Sequence, residues 1–526
     1  MRVLISDKMD PRCVEILERN RGIEVDVKAG LAPEELQAII GEYSGLIVRS
    51  ATKVTAGVLE RAGRLRVVGR AGAGVDNIDV GAATRRGVIV MNTPGGNSVS
   101  TAEHSFAMLI ALARNIPQAT ASVKAGQWER SRYTGVELQG KTLGILGLGK
   151  VGRELAARAA AFGMRVVGHD PFVTAEMADS YGARLVGLDE LLASADFLSI
   201  HLPLNEQTRG LIGEAQLDRC REGVRLINCA RGGIVNEDAL RRALERGKVA
   251  GAALDVFEQE PPADRRLVLD ERVICTPHLG ASTHEAQESV ALQVAEQVAD
   301  ALMDRVIRNA VNAPSVEPEV FRKMRPFLDL AARLGRITAQ LLEGQLARIT
   351  VEYHGDVTAY PTSPLTSEVL RGLVEMISSG PVNSVNAPYF VQERGIRVDE
   401  LRSSEHEDYA SLITVVCQTD RGQRALSGSI FGRSEPRLVR LDEYTVDAIP
   451  QGHMLLYIND DVPGIIGRVG TLMGERCINI AQMSCGRHEV GGRALTILNL
   501  DSRVPADVLE LLQAQEYIAW ARQVSL

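Results

Sequence analysis

Three polar residues follow apolar, β-forming runs in the middle of the chain, and their types could together carry out acid/base chemistry on a hydroxy acid. They are Arg231, Glu260 and His278, and each comes where a predicted strand has ended. An arginine offers paired hydrogen bonds to a carboxylate. A histidine can take the proton of a hydroxyl group, and a carboxylate beside it stabilises the imidazolium that forms. Because open parallel sheets hold ligands at the carboxyl ends of their strands, we expect these side chains to meet.

Two further histidines are alternatives to His278. His201 also follows a predicted strand, but no acidic residue lies close to it in sequence. His104 lies within an apolar helix, where a histidine usually packs in the core. The sequence therefore favours His278 as the acid/base group.

A glycine-rich turn is the strongest signal among the elements that would position these side chains. Gly147, Gly149 and Gly152 have the spacing G-x-G-x-x-G, between a predicted strand and a predicted helix, and Asp170 follows the next strand, 18 residues after Gly152. The first glycine permits the tight turn, the second lets the backbone approach a pyrophosphate, and the third allows close packing of helix on strand. Asp170 would bind the adenosine ribose and repel a 2′-phosphate. The pattern predicts NAD rather than NADP.

Composition limits the kinds of protein this can be. The chain has 526 residues and a net charge of −8, which predicts three or four domains and argues against nucleic acid as a partner. Its seven cysteines are scattered and never spaced C-x-x-C, so we expect neither a disulfide framework nor a metal site. No apolar run is long enough to span a membrane, and the first residues lack a signal-peptide core. We expect a cytoplasmic protein with no membrane partner.

The predicted elements change along the chain. Strands alternate with helices up to about residue 93, and the doubly wound unit with the glycine turn follows a long helix over 98–114. Residues 309–314 (Asn-Ala-Val-Asn-Ala-Pro) are typical of a linker. The last stretch, 453–526, has the order β-α-β-β-α-β of a ferredoxin-like fold. The fold class is therefore α/β, with a smaller α+β part towards the end.

These motifs together resemble the D-isomer-specific 2-hydroxyacid dehydrogenase family. Its signatures occur in order along residues 1–310. The tail resembles an ACT domain, and the segment before it resembles the intervening domain of the long members. The signatures are Gly69–Asn77, Asn92–Pro94, the glycine turn, Asn228–Gly233, Asp255–Phe257 with Glu260–Pro261, and Pro277–Ala281.

The resemblance implies four domains and a role for each site residue. Residues 1–97, completed by 282–310, form a flavodoxin-like substrate domain; 98–281 form a Rossmann-type NAD domain; 315–445 form the intervening domain; and 451–526 form the ACT domain. Arg231 would bind the substrate carboxylate, His278 would do the acid/base work, and Glu260 would support it. The other implied substrate contacts are Arg49, Arg70, Asn97 and backbone amides near Gly72 and Ala73. The implied cofactor contacts, besides the glycines and Asp170, are Lys150, Val151, Leu202, Cys229, Asp255, Ala73, Gly280 and Ala281.

The resemblance also implies a substrate and an effector. Oxidation of 3-phosphoglycerate to 3-phosphohydroxypyruvate, the first step of serine biosynthesis, is the expected reaction, with possible reduction of 2-oxoglutarate as a side activity. ACT domains of the family bind serine between paired subunits, and Asn459, Asp461 and Asn479 match the polar positions of that site. We expect a homo-oligomer, a tetramer in the first instance. Arg433, Arg437 and Arg440 could hold an anionic effector, although such arginines are more often a solvated face.

Two other functions stay open on the sequence alone. One is a glyoxylate or hydroxypyruvate reductase, which would share the site but not the need for a phosphate group. The other is a cofactor-sensing binding protein, like the transcriptional corepressors related to this family. Such relatives can keep the Arg–Glu–His set, so a turnover assay is needed to separate them.

Overall fold

A five-stranded parallel sheet forms the first part of the molecule in the computed structural model, which describes residues 1–378, 380–405 and 408–526. The strand order is β2-β1-β3-β4-β5, and β3 is buried along its whole length, as parallel strands covered on both faces must be. The strands are β1 (Arg2–Ile5), β2 (Glu24–Val27), β3 (Gly45–Val48), β4 (Val67–Arg70) and β5 (Ile89–Met91), and the helices are α1 (Arg12–Glu18), α2 (Pro33–Ile39), α3 (Ala56–Arg61) and α4 (Val80–Arg85).

A helix from much later in the chain completes this first part. Helix α12 (His284–Leu302) packs on α1, β3 and β4. A Cβ atom at Gly69, in β4, would lie only 2.6 Å from the methyl groups of Val294 and Val298, so a side chain there would push the helix away. The segment that follows, which the sequence predicts to be a linker, is instead bonded to β5. Val311 N donates to Val90 O (2.7 Å), because β5 is an edge strand whose backbone groups need partners.

Seven parallel strands form the second sheet, in the order β12-β11-β10-β9-β6-β7-β8. The last three strands of this sheet in chain order, β10, β11 and β12, are neighbours in the sheet, so their carboxyl ends lie side by side. The strands are β6 (Thr142–Leu146), β7 (Arg165–His169), β8 (Arg184–Leu185), β9 (Phe197–Ile200), β10 (Val224–Asn228), β11 (Val249–Leu254) and β12 (Val273–Cys275). The helices are α5 (Ser98–Arg114), α6 (Ile116–Lys124), α7 (Lys150–Ala161), α8 (Ala175–Ser180), α9 (Leu188–Ser194), α10 (Glu214–Arg219) and α11 (Glu237–Glu245).

The third sheet has six strands in the order β14-β13-β15-β16-β17-β18, antiparallel except for the pair β13 and β14. Helices α13 and α14 pack against each other, and α13 covers the sheet through residues such as Leu330, Leu334 and Ile337. The strands are β13 (Leu346–Gly355), β14 (Arg397–Ser403), β15 (Ser411–Thr419), β16 (Gly422–Phe431), β17 (Glu435–Leu441) and β18 (Tyr444–Ala448), and the helices are α13 (Pro318–Leu341), α14 (Ser363–Glu375) and α15 (Ala387–Glu393).

The fourth sheet is antiparallel, in the order β20-β21-β19-β22, with two helices on one face. Its edge strand β20 lies against β18 of the third sheet, where Asp447 N donates to Ser484 Oγ (3.0 Å). The elements are β19 (His453–Asp460), α16 (Ile465–Glu475), β20 (Ile480–Arg487), β21 (Arg493–Leu500), α17 (Ala506–Gln513) and β22 (Ile518–Ser525).

The predicted fold class is confirmed: two parallel α/β sheets are followed by an α+β unit and a ferredoxin-like unit. Helix α7 begins at Lys150, directly after the glycine turn and three residues earlier than the sequence predicts. The two-residue strand β8 is too short to give a periodic signal, and the sequence did not predict it. Within the described residues, every helix is too short or too polar to cross a bilayer.

Candidate active site

A cavity of about 720 Å³ lies between the first two sheets. It opens at the carboxyl ends of their strands, where a parallel sheet leaves room for a ligand. Most of the residues singled out from the sequence line it: Arg49, Arg70, Gly72, Ala73, Asn97, Val151, Leu202, Cys229, Arg231, Asp255, Glu260, His278, Gly280 and Ala281.

His278 and Glu260 are in direct contact. His278 Nδ1 lies 2.8 Å from Glu260 Oε2, and the other carboxylate oxygen accepts a hydrogen bond from Phe257 N (3.2 Å). An ionised carboxylate only accepts hydrogen bonds, so Nδ1 carries the proton and a neutral His278 keeps its lone pair on Nε2. Burial alone would raise the pKa of Glu260, but the hydrogen bond and charge of His278 bring the pKa below its ordinary value. The pair is a base held in one tautomer by an ionised acid.

Arg231 is held from both sides of the cavity. Its Nε donates to Asp76 Oδ2 of the first sheet (3.0 Å), and its Nη1 donates to the backbone O of Ala230 (2.7 Å). A Cβ atom at position 74 would lie 1.9 Å from Arg231 Nη2, so the guanidinium fits only because residue 74 is glycine. Asp76 was not among the residues predicted from the sequence; its position in the Gly69–Asn77 signature was the only signal.

Arg70 is a half-buried arginine that makes no ion pair with a carboxylate in the described residues. Its Nε has no hydrogen-bond partner in the described residues, and burial together with the charge of Arg231 lowers the pKa of Arg70 to about 10. Arg49 lies in the same wall, with Nη1 donating to Lys8 O (3.3 Å). Buried charges are normally paired, so this wall is suited to an anion that the ligand itself supplies.

The backbone amides predicted to bind a carboxylate are only partly available. Gly72 N donates to the buried hydroxyl of Thr93 (2.8 Å), so this amide already has a partner within the protein. The reason is that Thr93, at the end of β5, needs a donor in the protein interior. Ala73 and Asn97 both line the cavity; Asn97 precedes α5 and makes no capping hydrogen bond with its side chain.

The glycine turn has the geometry that a dinucleotide needs. Gly147 has φ +92°, a conformation that favours glycine, and a Cβ atom at Gly152 would lie 2.0 Å from Gly147 O. A Cβ atom at Gly149 would meet nothing within 4 Å, so space lies open in front of this backbone at the start of α7. A helix N-terminus beside open space suits a pyrophosphate. These residues fit NAD.

Two other predicted cofactor residues are already hydrogen-bonded in the protein. Lys150 Nζ donates to Pro94 O (2.9 Å), so the first helical residue reaches across to the first part of the molecule. Asp170 accepts from Leu148 N and Phe172 N (both 2.9 Å), which fixes its carboxylate at the end of β7. An ionised carboxylate has about four acceptor positions, so Asp170 keeps capacity for ribose hydroxyls.

A buried network holds the floor of the cavity beside Cys229. Asp255 accepts from Thr276 Oγ1 (2.5 Å), Leu279 N (2.7 Å) and Gly280 N (2.8 Å), and His104 Nε2 lies 3.2 Å from it. Burial raises the pKa of Asp255, but these hydrogen bonds outweigh it and the pKa falls below its ordinary value. His104 is therefore part of a polar network and not a residue of the apolar core, and it was missed because Asp255 lies far away in sequence.

His201 does not compete with His278. It is half-buried in the cavity wall, its Nε2 pairs with Ser199 Oγ (2.8 Å), and loss of solvation lowers its pKa to about 4. It therefore stays neutral at physiological pH, and no carboxylate contacts its ring in the described residues. The choice made from the sequence, which preferred His278, agrees with this geometry.

The three tail residues do not converge within one chain. Asn459 is buried near the end of β19 and donates to Asp460 O (2.7 Å), while Asp461 accepts from Arg487 (3.2 Å). Asn479 precedes β20, at the opposite end of the sheet, and donates to Asp501 (2.7 Å). Eight-residue strands separate the two ends by about 20 Å. The three residues could share a ligand only if a second chain contributed one of them.

The arginines proposed for an effector in the third sheet have partners of their own. Arg437 pairs with Glu435 (3.1 Å) and Asp447 (3.5 Å), and Arg440 pairs with Asp408 (3.6 Å). Arg433 lies exposed in the turn between β16 and β17. The structure therefore favours a solvated face over an anion site there.

Three family models match the chain. Residues 106–280 match the NAD-binding domain of D-isomer specific 2-hydroxyacid dehydrogenases, residues 323–442 match the D-3-phosphoglycerate dehydrogenase intervening domain, and residues 453–516 match the ACT domain. Over its full length the chain is 44% identical to a D-3-phosphoglycerate dehydrogenase of Archaeoglobus fulgidus, with 100% of each chain covered.

Solved structures resemble the first two sheets. A glyoxylate reductase from Paecilomyes thermophila is 32% identical, with a TM-score of 0.55, and covers 59% of this chain and 98% of its own. A D-lactate dehydrogenase from Aquifex aeolicus, solved with NAD and lactic acid, is 28% identical, with a TM-score of 0.54, and covers 60% of this chain and 100% of its own.

Proposed function

Since the chain belongs to the D-isomer specific 2-hydroxyacid dehydrogenase family and is an NAD-dependent enzyme, we propose that it oxidises 3-phosphoglycerate to 3-phosphohydroxypyruvate, the first step of serine biosynthesis. The observation that carries the substrate is the half-buried guanidinium of Arg70, whose Nε has no hydrogen-bond partner in the described residues and which lines the same cavity as Arg231 and His278. A 2-hydroxy acid with a phosphate group needs two anion sites, and this cleft has arginines for both.

Arg231 binds the substrate carboxylate. Its Nε is held by Asp76 and its Nη1 by Ala230, so the guanidinium is fixed before substrate arrives. A fixed fork loses less entropy on binding than a mobile one, which favours the reacting geometry. The Ala73 amide and Asn97 hold the same end of the substrate.

His278 takes the proton from the C2 hydroxyl. When bound, NAD would supply the acceptor for the hydride that leaves C2. The proton on Nδ1 is fixed by Glu260, so the imidazole accepts at Nε2, and the resulting imidazolium lies 2.8 Å from an ionised carboxylate. That contact stabilises the charged form of the histidine as the C2 carbonyl forms.

Arg49 and Arg70 bind the phosphate. Both line the wall opposite the catalytic pair, on the side of the first sheet. Burial of Arg70 disfavours its charged form because water cannot solvate it fully. A dianionic phosphate bound against the guanidinium would stabilise that charge by electrostatic attraction and hydrogen bonds. This site distinguishes the proposed substrate from glyoxylate and lactate.

The remaining roles concern NAD and regulation. Gly147, Gly149, Lys150, Val151 and Gly152 hold the pyrophosphate side. Asp170 binds the adenosine ribose, and the nicotinamide side is lined by Ala73, Leu202, Cys229, Asp255, Gly280 and Ala281.

Serine binds Asn459 and Asp461 of one chain and Asn479 of another. Because the three residues lie at both ends of the tail sheet, this requires paired chains. The homo-oligomer, its tetrameric form, the cytoplasmic location and the reduction of 2-oxoglutarate stay predictions.

Initial rates on paired substrates test the proposal. NADH formation is measured with 3-phosphoglycerate and with D-glycerate, which lacks only the phosphate, in the wild type and in Arg70→Gln. We expect a large preference for 3-phosphoglycerate that Arg70→Gln reduces by about 10- to 100-fold, the effect of losing one hydrogen bond to a charged group. Equal rates on the two substrates in the wild type would instead favour a glyoxylate or hydroxypyruvate reductase.

A further inference from the structure

The loop of residues 49–52, Arg-Ser-Ala-Thr, follows β3 and carries Arg49 to the wall of the catalytic cleft. It contains neither glycine nor proline, the residues that fix a turn by their own backbone preferences. Its backbone groups must therefore find partners in neighbouring elements. Four of them, the N–H and C=O groups of Arg49 and Thr52, are bonded to side chains from two other loops of the first sheet.

Asp7 binds the N–H side of this loop. It follows β1, which pairs in parallel with β3, so the carboxyl ends of the two strands lie side by side. Only 5% of Asp7 is exposed, and its carboxylate accepts hydrogen bonds from Arg49 N (2.5 Å), Thr52 N (3.3 Å) and Thr52 Oγ1 (2.8 Å). A buried carboxylate needs such donors, and hydrogen bonds to a charged group are strong. The loop is therefore fixed to β1 through Asp7.

Asn77 binds the C=O side of the same loop. Its side-chain amide donates to Arg49 O (2.7 Å) and to Thr52 O (2.6 Å), which uses both of the N–H groups that this amide has. Its backbone O accepts from Val54 N (2.8 Å), just after the loop. Arg49 and Thr52 are therefore held on both sides, and the loop cannot move without breaking hydrogen bonds to Asp7 or Asn77.

Asp76, the residue directly before Asn77, holds the other arginine of the proposed substrate site. Its carboxylate accepts from Arg231 Nε (3.0 Å), across the cleft. One side chain thus supports Arg231, on the carboxylate side, and the next supports the backbone of Arg49, on the phosphate side. Because both side chains branch from adjacent residues of one loop, the positions of the two arginines are tied to each other.

Arg70 is close to both supports. Its pKa is lowered by burial and then by the charge of Arg231, and it also responds to the charges of Asp76, Arg49 and Asp7. All four charged groups are therefore within electrostatic reach of its guanidinium. Three cations and two carboxylates meet here, and both carboxylates already accept hydrogen bonds from the protein. The positive charge that is left over favours an anionic group of the ligand.

We propose that Asn77 and Asp7 are positioning residues for the phosphate group of the substrate. This inference rests on the proposed oxidation of 3-phosphoglycerate and names the residues that make its phosphate site rigid. Neither residue lines the cleft in the described part of the chain, so each acts through the loop that carries Arg49. The substrate is a short molecule, so its two anionic groups reach both arginines only if Arg49 and Arg231 keep a fixed separation. A loop that is already ordered also loses less entropy when the phosphate binds.

The preference for a phosphorylated substrate is the quantity that tests this inference. We measure kcat/KM with 3-phosphoglycerate and with D-glycerate, at saturating NAD, for the wild type, Asn77→Ala and Asp76→Ala. Asn77→Ala should reduce the preference for 3-phosphoglycerate by about tenfold, mainly through KM, because the loss of hydrogen bonds leaves Arg49 mobile. D-glycerate has no phosphate, so its kcat/KM should stay nearly unchanged in this variant.

Asp76→Ala is the matched control, a truncation to the same residue one position away. It should lower kcat/KM on both substrates by the same factor, because both have the carboxylate that Arg231 binds. A second variant, Thr52→Val, removes the hydroxyl that donates to Asp7 and should reduce the preference in the same direction, by less. Valine has nearly the shape of threonine, so this variant should fold, and thermal melting checks each protein.

A double variant shows whether Asn77 acts through Arg49. Asn77→Ala added to Arg49→Ala should reduce the preference no further, whereas independent effects would multiply. Multiplied losses, or a wild-type preference that survives in both Asn77→Ala and Thr52→Val, would overturn this inference and leave the proposed function standing. Equal rates of the wild type on the two substrates would overturn the proposed function and this inference with it.

Discussion

Polar residues that are distant in sequence meet in the catalytic cleft, whereas those of the tail sheet stay apart within one chain. Arg231, Glu260 and His278 are far apart in sequence, yet they line one cavity of one chain. Asn459 and Asn479 are 20 residues apart, much like the 18 that separate Glu260 from His278, but they lie at opposite ends of their sheet. The three cleft residues meet within one chain, whereas the expected serine site would need residues from two.

Strand direction accounts for the difference. The strands β10, β11 and β12 are parallel neighbours, so the residues after them meet at one edge. In the tail, Asn459 lies near the end of β19 and Asn479 precedes β20, and those two strands run in the same direction on either side of β21. The end of β19 and the beginning of β20 therefore lie at opposite ends of the sheet.

The largest expected effect is that of His278→Gln, which tests whether His278 is the general base of the cleft. Loss of a positioned general base should reduce kcat by about 10²- to 10⁴-fold while leaving the KM for NAD little changed. Steady-state NADH formation measures both. His201→Gln is the comparison variant, because His201 lines the same cavity but is neutral and has no carboxylate partner in the described residues; it should lose much less. An unchanged kcat in His278→Gln would remove this residue from its role.

Glu260→Gln tests the role of the carboxylate beside His278, and its expected effect is smaller. Removing a charged hydrogen-bond partner should lower kcat by about tenfold or somewhat more. The imidazolium loses its stabilising carboxylate, so the acidic limb of the pH profile of kcat/KM should move to lower pH. Glu258→Gln is the control, because Glu258 lies in the same loop but accepts from Glu237 N (3.2 Å) instead of contacting His278. A profile that does not move would show that Glu260 only holds the loop.

Complementation between chains tests the tail. Asn459→Ala and Asn479→Ala should each abolish serine inhibition without changing the rate in its absence. In mixed oligomers, about a quarter of the sites would combine an unaltered residue from each chain, because a two-fold interface uses the same patch from both partners. Partial recovery of inhibition after unfolding and refolding the variants together is therefore expected. Full inhibition of both single variants, or no recovery, would contradict a site between chains.

The smallest expected effect concerns stability and separates the two histidines of the cleft. Burial lowers the pKa of His201 to about 4, below its value of 6.5 in an unfolded chain. The unfolded state therefore binds the proton first as pH falls, and the folded state should lose up to about 3 kcal/mol between pH 6.5 and pH 4. Denaturant unfolding at several pH values measures this loss. His201→Gln should show a shallower dependence on pH, and an unchanged dependence would contradict the buried neutral state.

Local chemistry explains which predictions made from the sequence agree with the structure. Gly147 and Gly152 report on the turn and the packing in their own vicinity, so their spacing was sufficient. The ends of β10, β11 and β12 were visible as apolar runs followed by a polar residue. Asp76, Thr93 and His104 gave no such signal, because each acts on a residue from a different element: Arg231, Gly72 and Asp255.

The sequence alone determined which polar residues follow parallel strands. Because a parallel sheet brings the carboxyl ends of its strands to one edge, it also determined that these residues share a cleft suited to hydride transfer. Only the tertiary structure decided how each group is used. It assigned the Gly72 amide to Thr93 and left Arg70 Nε without a hydrogen-bond partner in the described residues. The physical reason is that hydrogen bonds and charge balance depend on which elements pack together, and packing joins residues that no spacing along the chain connects.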